Sequence, residues 1–192
     1  MWRSSIVLYA ALTVITGIIY PLAVTGIAQT LFPHKANGAP VVSSGRVVGS
    51  ERIGQQFSDP RYFWGRLSST SPAYNAAASA GSNLGPNNEA LMKAARERLD
   101  ALRAPDPASA APAPVDLITS SGSGLDPDIS PAAAYYQSAR VARLRGLPEE
   151  KVRAMVARSI EGRRFGVLGE PRVNVLKLNL ALDALDDAEE QP

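Results

Sequence analysis

The chain has 192 residues, of which 45% are hydrophobic, and its 20 basic and 18 acidic side chains give a formal net charge of +2. This length suits one modest domain plus an anchor, the hydrophobic fraction excludes wholesale disorder, and the near balance of charge argues against a nucleic-acid-binding protein. The sequence contains no cysteine, which excludes disulfide scaffolds, thiolate metal sites and cysteine nucleophiles.

The first thirty residues predict a transmembrane helix. No Asp, Glu, Lys or Arg lies between Arg3 and Lys35, and about 20 apolar residues are enough for a helix to cross the hydrocarbon core. A cleaved signal peptide would have a shorter apolar core and a small-x-small cleavage site, and this segment offers no convincing one. We therefore expect residues 1–5 to form a short cytoplasmic N-terminus and residues 6–32 to form an uncleaved span.

The charges that flank this segment predict its orientation. Arg3 and the terminal amine precede the span and Lys35 follows it, so the positive-inside rule slightly favours a cytoplasmic N-terminus. The rest of the chain is then expected outside the cytoplasm, in a single-pass protein of the cell (inner) membrane.

One face of the predicted span carries small residues. Thr13, Gly17, Pro21 and Thr25 recur every four residues and share one drifting helix face. Such a stripe lets a second helix approach closely, which is how spans associate in lipid. Glycine and proline are also simply frequent in membrane helices, which is the alternative explanation. We predict a face for partner helices.

The predicted fold class is α+β, with the N-terminal transmembrane helix followed by a single mixed α/β extracytoplasmic domain, residues 33–187. Two valine pairs, at 41–42 and 47–48, flank a Ser-Ser-Gly turn and predict a β-hairpin. Residues 89–103 predict an amphipathic helix. Residues 104–114 are rich in alanine and proline and predict an exposed loop, because proline removes a backbone donor and fixes φ.

Further elements are predicted after this loop. Ser130 is a suitable N-cap and Pro131 suits the first helical position, so a helix is expected to begin there. The predicted elements are a strand at 115–119, a helix from 131 to about 146, a helix from 148, a strand at 173–176, a terminal helix, and an acidic tail at 188–192.

Two stretches rich in glycine and short polar residues, 79–87 and 121–128, invite a functional reading. Unpaired N–H groups at a helix start could hold an anion or phosphate. Asp126 and Asp128 could instead contribute to a hard-cation site, although two carboxylates fall short of the usual number of oxygen ligands. Plain capping and tight turning is the commoner explanation for such stretches. The weak candidates for a cofactor site are Ser121, Gly122, Ser123, Gly124 and Asp126.

No pattern of catalytic or metal-binding residues is recognisable. The single histidine, His34, follows the predicted span directly, and one histidine without cysteine cannot form a zinc site. We therefore predict no catalytic residue and no metal site.

The cluster Tyr62-Phe63-Trp64 has two interpretations. Aromatic residues are enriched in interface cores, so it could be a docking patch, while core packing is at least as good an explanation for two of the three. The candidates for partner contacts in the domain are Phe63, Trp64, Asn83 and Asn174.

Nine ordered strings of sequence occur together in one known family. They lie at residues 49–57, 62–66, 74–75, 81–86, 116–119, 121–127, 140–142, 145–147 and 173–183. With them the chain resembles, over nearly its whole length, the C subunit of the Kdp potassium-transporting ATPase of bacteria. It departs from the family where Arg66-Leu67-Ser68-Ser69 replaces a frequent Arg-Pro-Ser-Ala, and where Asp128 replaces a frequent histidine.

The resemblance implies an accessory subunit of a four-subunit pump and not an enzyme. The implied partners are a channel-like potassium-binding subunit, a P-type subunit that hydrolyses ATP and a small single-span subunit, together with membrane lipid and no nucleic acid. The family is described as chaperone-like, assembling the complex and raising the ATP affinity of the hydrolysing subunit, with ATP in a ternary complex.

This ATP role conflicts with the predicted topology, because an extracytoplasmic domain cannot touch cytoplasmic ATP. Any effect on nucleotide affinity is therefore expected to be conformational coupling. The alternative function is a free-standing membrane-anchored extracytoplasmic binding protein or enzyme that uses residues 121–128.

Overall fold

The computed structural model describes residues 2–107 and 111–189. The chain divides into two compact units, Met1–Ser50 and Glu51–Pro192.

The first unit begins with one long apolar helix built from three segments. These are α1 (Trp2–Val14), a π-helical turn (Ile15–Ile19) and α2 (Tyr20–Leu31). In the π turn the Tyr20 N–H bonds to the Ile15 carbonyl, five residues back. Pro21 has no N–H and its ring crowds the carbonyl four residues earlier, so a wider turn accommodates it. Among the described residues this is the one helix that is long and apolar enough to cross a membrane.

A short helix, α3 (Pro33–Ala36), and a two-stranded antiparallel hairpin, β1 (Pro40–Ser43) and β2 (Arg46–Ser50), complete the first unit. Ser44 and Gly45 make the turn with φ of +48° and +75°. Positive φ at both central residues defines the type I′ turn, whose twist matches that of the strands. The predicted hairpin is confirmed.

The second unit combines helices with a small antiparallel sheet of order β3-β5-β4. Its elements are a 3₁₀ turn (Ala76–Ala78), α4 (Glu89–Arg103), α5 (Val115–Ile118), β3 (Asp128–Ile129), α6 (Pro131–Arg145), α7 (Glu149–Ser159), β4 (Ile160–Glu161), β5 (Arg172–Asn174) and α8 (Val175–Glu189). Ile129 and Ile160 both pair with Val173 of the central strand. The predicted mixed composition of helices and strands is confirmed.

Local signals place the helix ends correctly. The Ser130 hydroxyl accepts from the Ala133 N–H at 3.0 Å, Pro131 opens α6, and Gly146 ends it at φ +69°. Residues with short polar side chains cap helix starts, and glycine tolerates the left-handed conformation at helix ends.

One prediction of secondary structure is wrong. Residues 115–118 form the single helical turn α5 and not a strand, and only Leu117 of this turn is buried. In so short an apolar run, hydrophobic periodicity does not distinguish a strand from a buried helical turn. The last helix, α8, continues to Glu189 and so includes the first two residues of the predicted acidic tail. Residues 108–110 of the predicted loop and 190–192 of the tail lie outside the described residues.

The core of the second unit collects around β5, which contacts α6, α7 and α8. In α8 the apolar residues Leu178, Leu182 and Leu185 follow the helical spacing and face this core. The fully buried apolar side chains include Phe63, Leu117, Ile129, Val141, Val152, Val156, Val173, Leu178 and Leu182.

Candidate functional site

The two glycine-rich stretches predicted as candidate sites lie against each other. The Ala80 N–H donates to the Ser123 carbonyl at 3.0 Å, and the hydroxyl of the preceding residue donates to the same oxygen at 3.0 Å. Gly124 has φ +70°, and a Cβ there would lie 2.8 Å from the Ala80 carbonyl oxygen, so only glycine fits. We call this packed surface, residues 79–81 and 121–126, the loop junction.

Several polar groups of the loop junction form hydrogen bonds with residues two or three positions away in the chain. The buried Ser121 hydroxyl accepts from the Gly124 N–H at 2.9 Å, and the Leu125 N–H donates to the hydroxyl two residues earlier at 3.1 Å. The Asp128 N–H donates in the same way to the Asp126 carboxylate at 3.0 Å. These are turn contacts, and they occupy N–H groups that a bound phosphate would need.

A charged cleft of about 350 Å³ lies beside the junction and is lined by Arg66, Asp116, Asp126, Asp128, Glu170 and Arg172 among others. Arg66 Nη1 lies 3.0 Å from Asp126 Oδ2, and Arg172 Nε lies 2.9 Å from Asp128 Oδ2. Burial raises the pKa of Asp128, against the opposing effects of a hydrogen bond from Asn174 and the charge of Arg172.

This chemistry does not fit the ATP that the resemblance implies. Four carboxylates against two guanidinium groups repel a nucleotide's phosphates. Nor do the described residues include three or more His, Cys, Asp or Glu side chains placed to hold a metal ion. The charged cleft is therefore built mainly from ion pairs internal to the chain.

A second cleft, of about 390 Å³, is lined by Trp64, Arg66, Tyr74 and Arg98 among others. Two guanidinium groups lie over the Trp64 ring, with Arg98 Cζ at 5.0 Å and Arg140 Cζ at 4.8 Å from the ring centroid. Burial lowers the pKa of Arg98. The pKa of Arg140 is lowered to about 10, chiefly by burial and secondly by the positive charge of Arg98.

Carbonyl oxygens and the indole ring are the direct contacts of these two cations. Arg98 donates to the Gly65 carbonyl at 2.8 Å and the Leu117 carbonyl at 3.1 Å. Arg140 donates to the Gln137 side chain at 2.7 Å and to the Pro60 carbonyl. Within the described residues neither guanidinium forms an ion pair. Their hydrogen bonds fix the backbone of a segment that has little secondary structure of its own.

Two buried carboxamides clamp the backbone of the aromatic cluster. Asn179 of α8 accepts from the Phe63 N–H at 2.9 Å and donates to the Phe63 carbonyl at 3.0 Å. Gln137 of α6 makes the same pair of bonds with Trp64, at 2.8 and 3.1 Å. Sequence reasoning missed both amides, although each is an uncharged polar residue on the apolar face of a predicted helix.

Of the four residues predicted to contact partners from the domain, the structure buries three and exposes one. Phe63 is 0% and Trp64 7% exposed, so both rings belong to the core, which is the other interpretation of the aromatic cluster. Asn174 is 6% exposed, and its amide donates to the Glu51 carbonyl at 3.0 Å, so its contacts are internal. Asn83 is exposed and has φ +52°. Of these four residues, Asn83 alone presents a side chain to solvent.

The four residues predicted as a partner face are all exposed along the long helix. In a regular helix Thr13 and Thr25 would point about 120° apart, because twelve residues turn through about 1200°. One residue absorbed by a π turn removes about 100°, which leaves them about 20° apart. The π turn therefore brings Thr13, Gly17, Pro21 and Thr25 close to a single face. The Thr13 hydroxyl bonds to the Tyr9 carbonyl at 2.8 Å, which leaves this end of the face without a free polar donor.

Comparison with known proteins decides the family. The family described as "KdpC: K+-transporting ATPase, c chain" matches residues 2–184. The chain belongs to the KdpC family. A relative named Potassium-transporting ATPase KdpC subunit, from Variovorax paradoxus (strain S110), is 63% identical over 183 residues, which cover 95% of each chain. A relative of the same name from Methylococcus capsulatus (strain ATCC 33009 / NCIMB 11132 / Bath) is 60% identical over 185 residues, 96% of this chain and 97% of the relative.

The resemblance drawn from the sequence motifs is thereby confirmed. As a KdpC-family chain it is a subunit of a potassium-transporting ATPase, which gives it an accessory role in a potassium pump. Its N-terminal apolar helix is consistent with membrane anchoring.

Proposed function

We propose that this KdpC-family chain is a non-catalytic subunit that assembles and stabilises an ATP-driven potassium uptake pump. The observation that carries the proposal is the helix Trp2–Leu31, whose most apolar window is not covered by any described part of the chain. Such a helix needs lipid or partner helices around it. The proposed partners are a channel-like potassium-binding subunit, a P-type ATP-hydrolysing subunit and a small single-span subunit.

The proposed contact for partner helices is the face of Thr13, Gly17, Pro21 and Thr25. A Cβ on Gly17 would meet nothing within 4 Å in the chain itself, so a larger side chain is harmless to the isolated helix. Gly17→Leu is therefore expected to reduce co-purification of the other subunits without reducing membrane insertion.

Gly26→Leu is the matched control for this experiment. It makes the same substitution at a glycine that also has nothing within 4 Å, on another face of the helix. Equal co-purification of the two variants would overturn the proposed face.

We propose that the chain is a single-pass protein of the inner membrane, with residues 1–5 inside and residues 33–187 as an extracytoplasmic domain. The domain would cover the side of the channel subunit where potassium enters. Because the chain has no native cysteine, Lys93→Cys supplies a single label at a side chain that is 77% exposed. A membrane-impermeant maleimide should label it in intact spheroplasts. Labelling only after permeabilisation would place the domain in the cytosol.

Any effect on the ATP affinity of the hydrolysing subunit is proposed to be indirect. The acidic cleft and the occupied N–H groups of the loop junction support this version. Calorimetric titration of the purified chain with ATP should give no saturable heat, whereas removing the chain from the pump should weaken nucleotide binding by the hydrolysing subunit. Saturable micromolar binding that is lost in Ser123→Ala or Asp126→Asn would establish direct contact instead.

A further inference from the structure

The connection between β4 and β5 is a narrow hairpin that projects from the second unit. Arg164 and Leu168 form an antiparallel pair, with N–H···O distances of 2.8 and 2.9 Å. The Val167 N–H donates to the Arg164 carbonyl at 3.2 Å and closes a four-residue turn. We call residues 164–168 the hairpin tip.

The turn at the hairpin tip holds an aromatic residue in an unfavourable conformation. Phe165 and Gly166, its two central residues, have φ of +53° and +75°, as a type I′ turn requires. Such turns favour asparagine or aspartate before glycine, and positive φ is an outlier for a bulky residue. The hairpin of the first unit makes a turn of this kind with Ser44 and Gly45. A local requirement for turning therefore does not explain the phenylalanine.

Exposure is the second feature that folding does not explain. Phe165 is 91%, Val167 74% and Leu168 59% exposed, so three neighbouring apolar side chains face solvent on one projection. At the neck of the hairpin, Arg163 and Glu170 form an ion pair of 2.7 Å. In the part of the chain that the structure describes, the Arg164 guanidinium has neither a hydrogen bond nor an ion pair.

We infer that the hairpin tip inserts into an apolar pocket with an acidic rim on another subunit of the pump, an inference that rests on the proposed function. Phenylalanine is one of the aromatic residues enriched in the cores of protein interfaces, where a concave partner surface desolvates it. The free guanidinium beside it complements a carboxylate at the edge of that pocket. Lipid is the poorer occupant, because three apolar side chains add little retention to a chain that already carries a 30-residue apolar helix.

Phe165→Asn separates docking from folding. Asparagine before glycine is preferred in this turn, so the midpoint of thermal unfolding should stay the same or rise. The dissociation constant for the other subunits, measured by titrating labelled full-length chain into the detergent-solubilised partners, should rise at least tenfold. A residue with a purely structural role would not give stable folding together with weaker binding.

Val115→Asn is the matched control, since it removes an apolar side chain that is 69% exposed on α5, outside the hairpin, and should leave the dissociation constant unchanged. Arg164→Glu should weaken association, and tighter association would overturn the acidic rim. An unchanged dissociation constant in Phe165→Asn would overturn the inference, as would additional quenching by brominated lipid in the assembled pump when Phe165→Trp is compared with its parent. If the unmodified chain itself fails to bind the other subunits, the proposed function fails instead.

Discussion

Replacing Asn179 by leucine tests how the irregular part of the domain is stabilised. The Asn179 carboxamide satisfies both the N–H and the carbonyl of Phe63, and leucine, which is similar in size, satisfies neither. A buried polar group left unpaired costs about 1–3 kcal/mol, so two cost about 2–6 kcal/mol. Added apolar burial offsets about 1 kcal/mol. We expect Asn179→Leu to lower the free energy of unfolding by about 1–5 kcal/mol, a sizeable part of the 5–15 kcal/mol that is typical of whole proteins.

Urea unfolding of the full chain in detergent measures this loss. The chain has two tryptophans, so a Trp2→Phe background leaves Trp64, next to the clamped residue, as the only indole reporter. Asn87→Leu makes the same substitution at an exposed loop position and should change the free energy of unfolding by less than about 0.5 kcal/mol. If Asn179→Leu also stays within about 0.5 kcal/mol of its parent, the reasoning about unsatisfied backbone groups is refuted.

Three further substitutions test other parts of the molecule. Gly124→Ala should lower the free energy of unfolding by about 1–3 kcal/mol, since positive φ and the close Ala80 carbonyl oxygen force a shift, and an unaltered thermal midpoint would contradict the junction's packing. The raised pKa of Asp128 means that the stability it contributes is full below its unfolded value of 3.8 and is lost as pH rises through the folded value. Asp128→Asn should therefore gain stability relative to its parent between pH 4 and pH 7 in urea titrations, whereas parallel pH profiles would argue against this. Pro21→Ala should allow a regular helix, rotate its two halves by about 100° and reduce co-purification of the other subunits, and full retention would count against the aligned face.

Elements with local chemical signals could be predicted from the sequence. The cap at Ser130, the proline after it and the glycine at 146 each act through backbone geometry within one helix turn, so neighbouring residues suffice to locate α6. The run at 115–118 carries no such signal. Its apolar residues fit a strand or a buried helical turn, and contacts elsewhere in the chain decide between them.

The hydrogen bonds of the two buried carboxamides and the contacts of the Trp64 ring could not be predicted, because the partners are remote in sequence. Gln137 lies 73 residues from Trp64, and Asn179 lies 116 residues from Phe63. Periodicity identifies which face of a helix is buried, but not which distant backbone group meets a polar residue on that face. For the same reason the sequence does not decide whether the aromatic cluster docks a partner or packs in the core. The burial of Phe63 in the structure decides it.

The hydrogen bonds of the segment from 52 to 75 suggest why this domain has so little regular structure. Buried N–H and carbonyl groups must be paired. In this segment, side chains from helices form many of the hydrogen bonds that neighbouring strands would form in a sheet. Arg98 and Gln137 bind its carbonyls, and the Tyr74 hydroxyl donates to the Arg66 carbonyl at 2.6 Å. An irregular backbone fixed in this way has a set shape before any partner arrives, which lowers the ordering cost of association. A surface that is already ordered suits a subunit whose proposed role is assembly, and these buried polar residues supply that order.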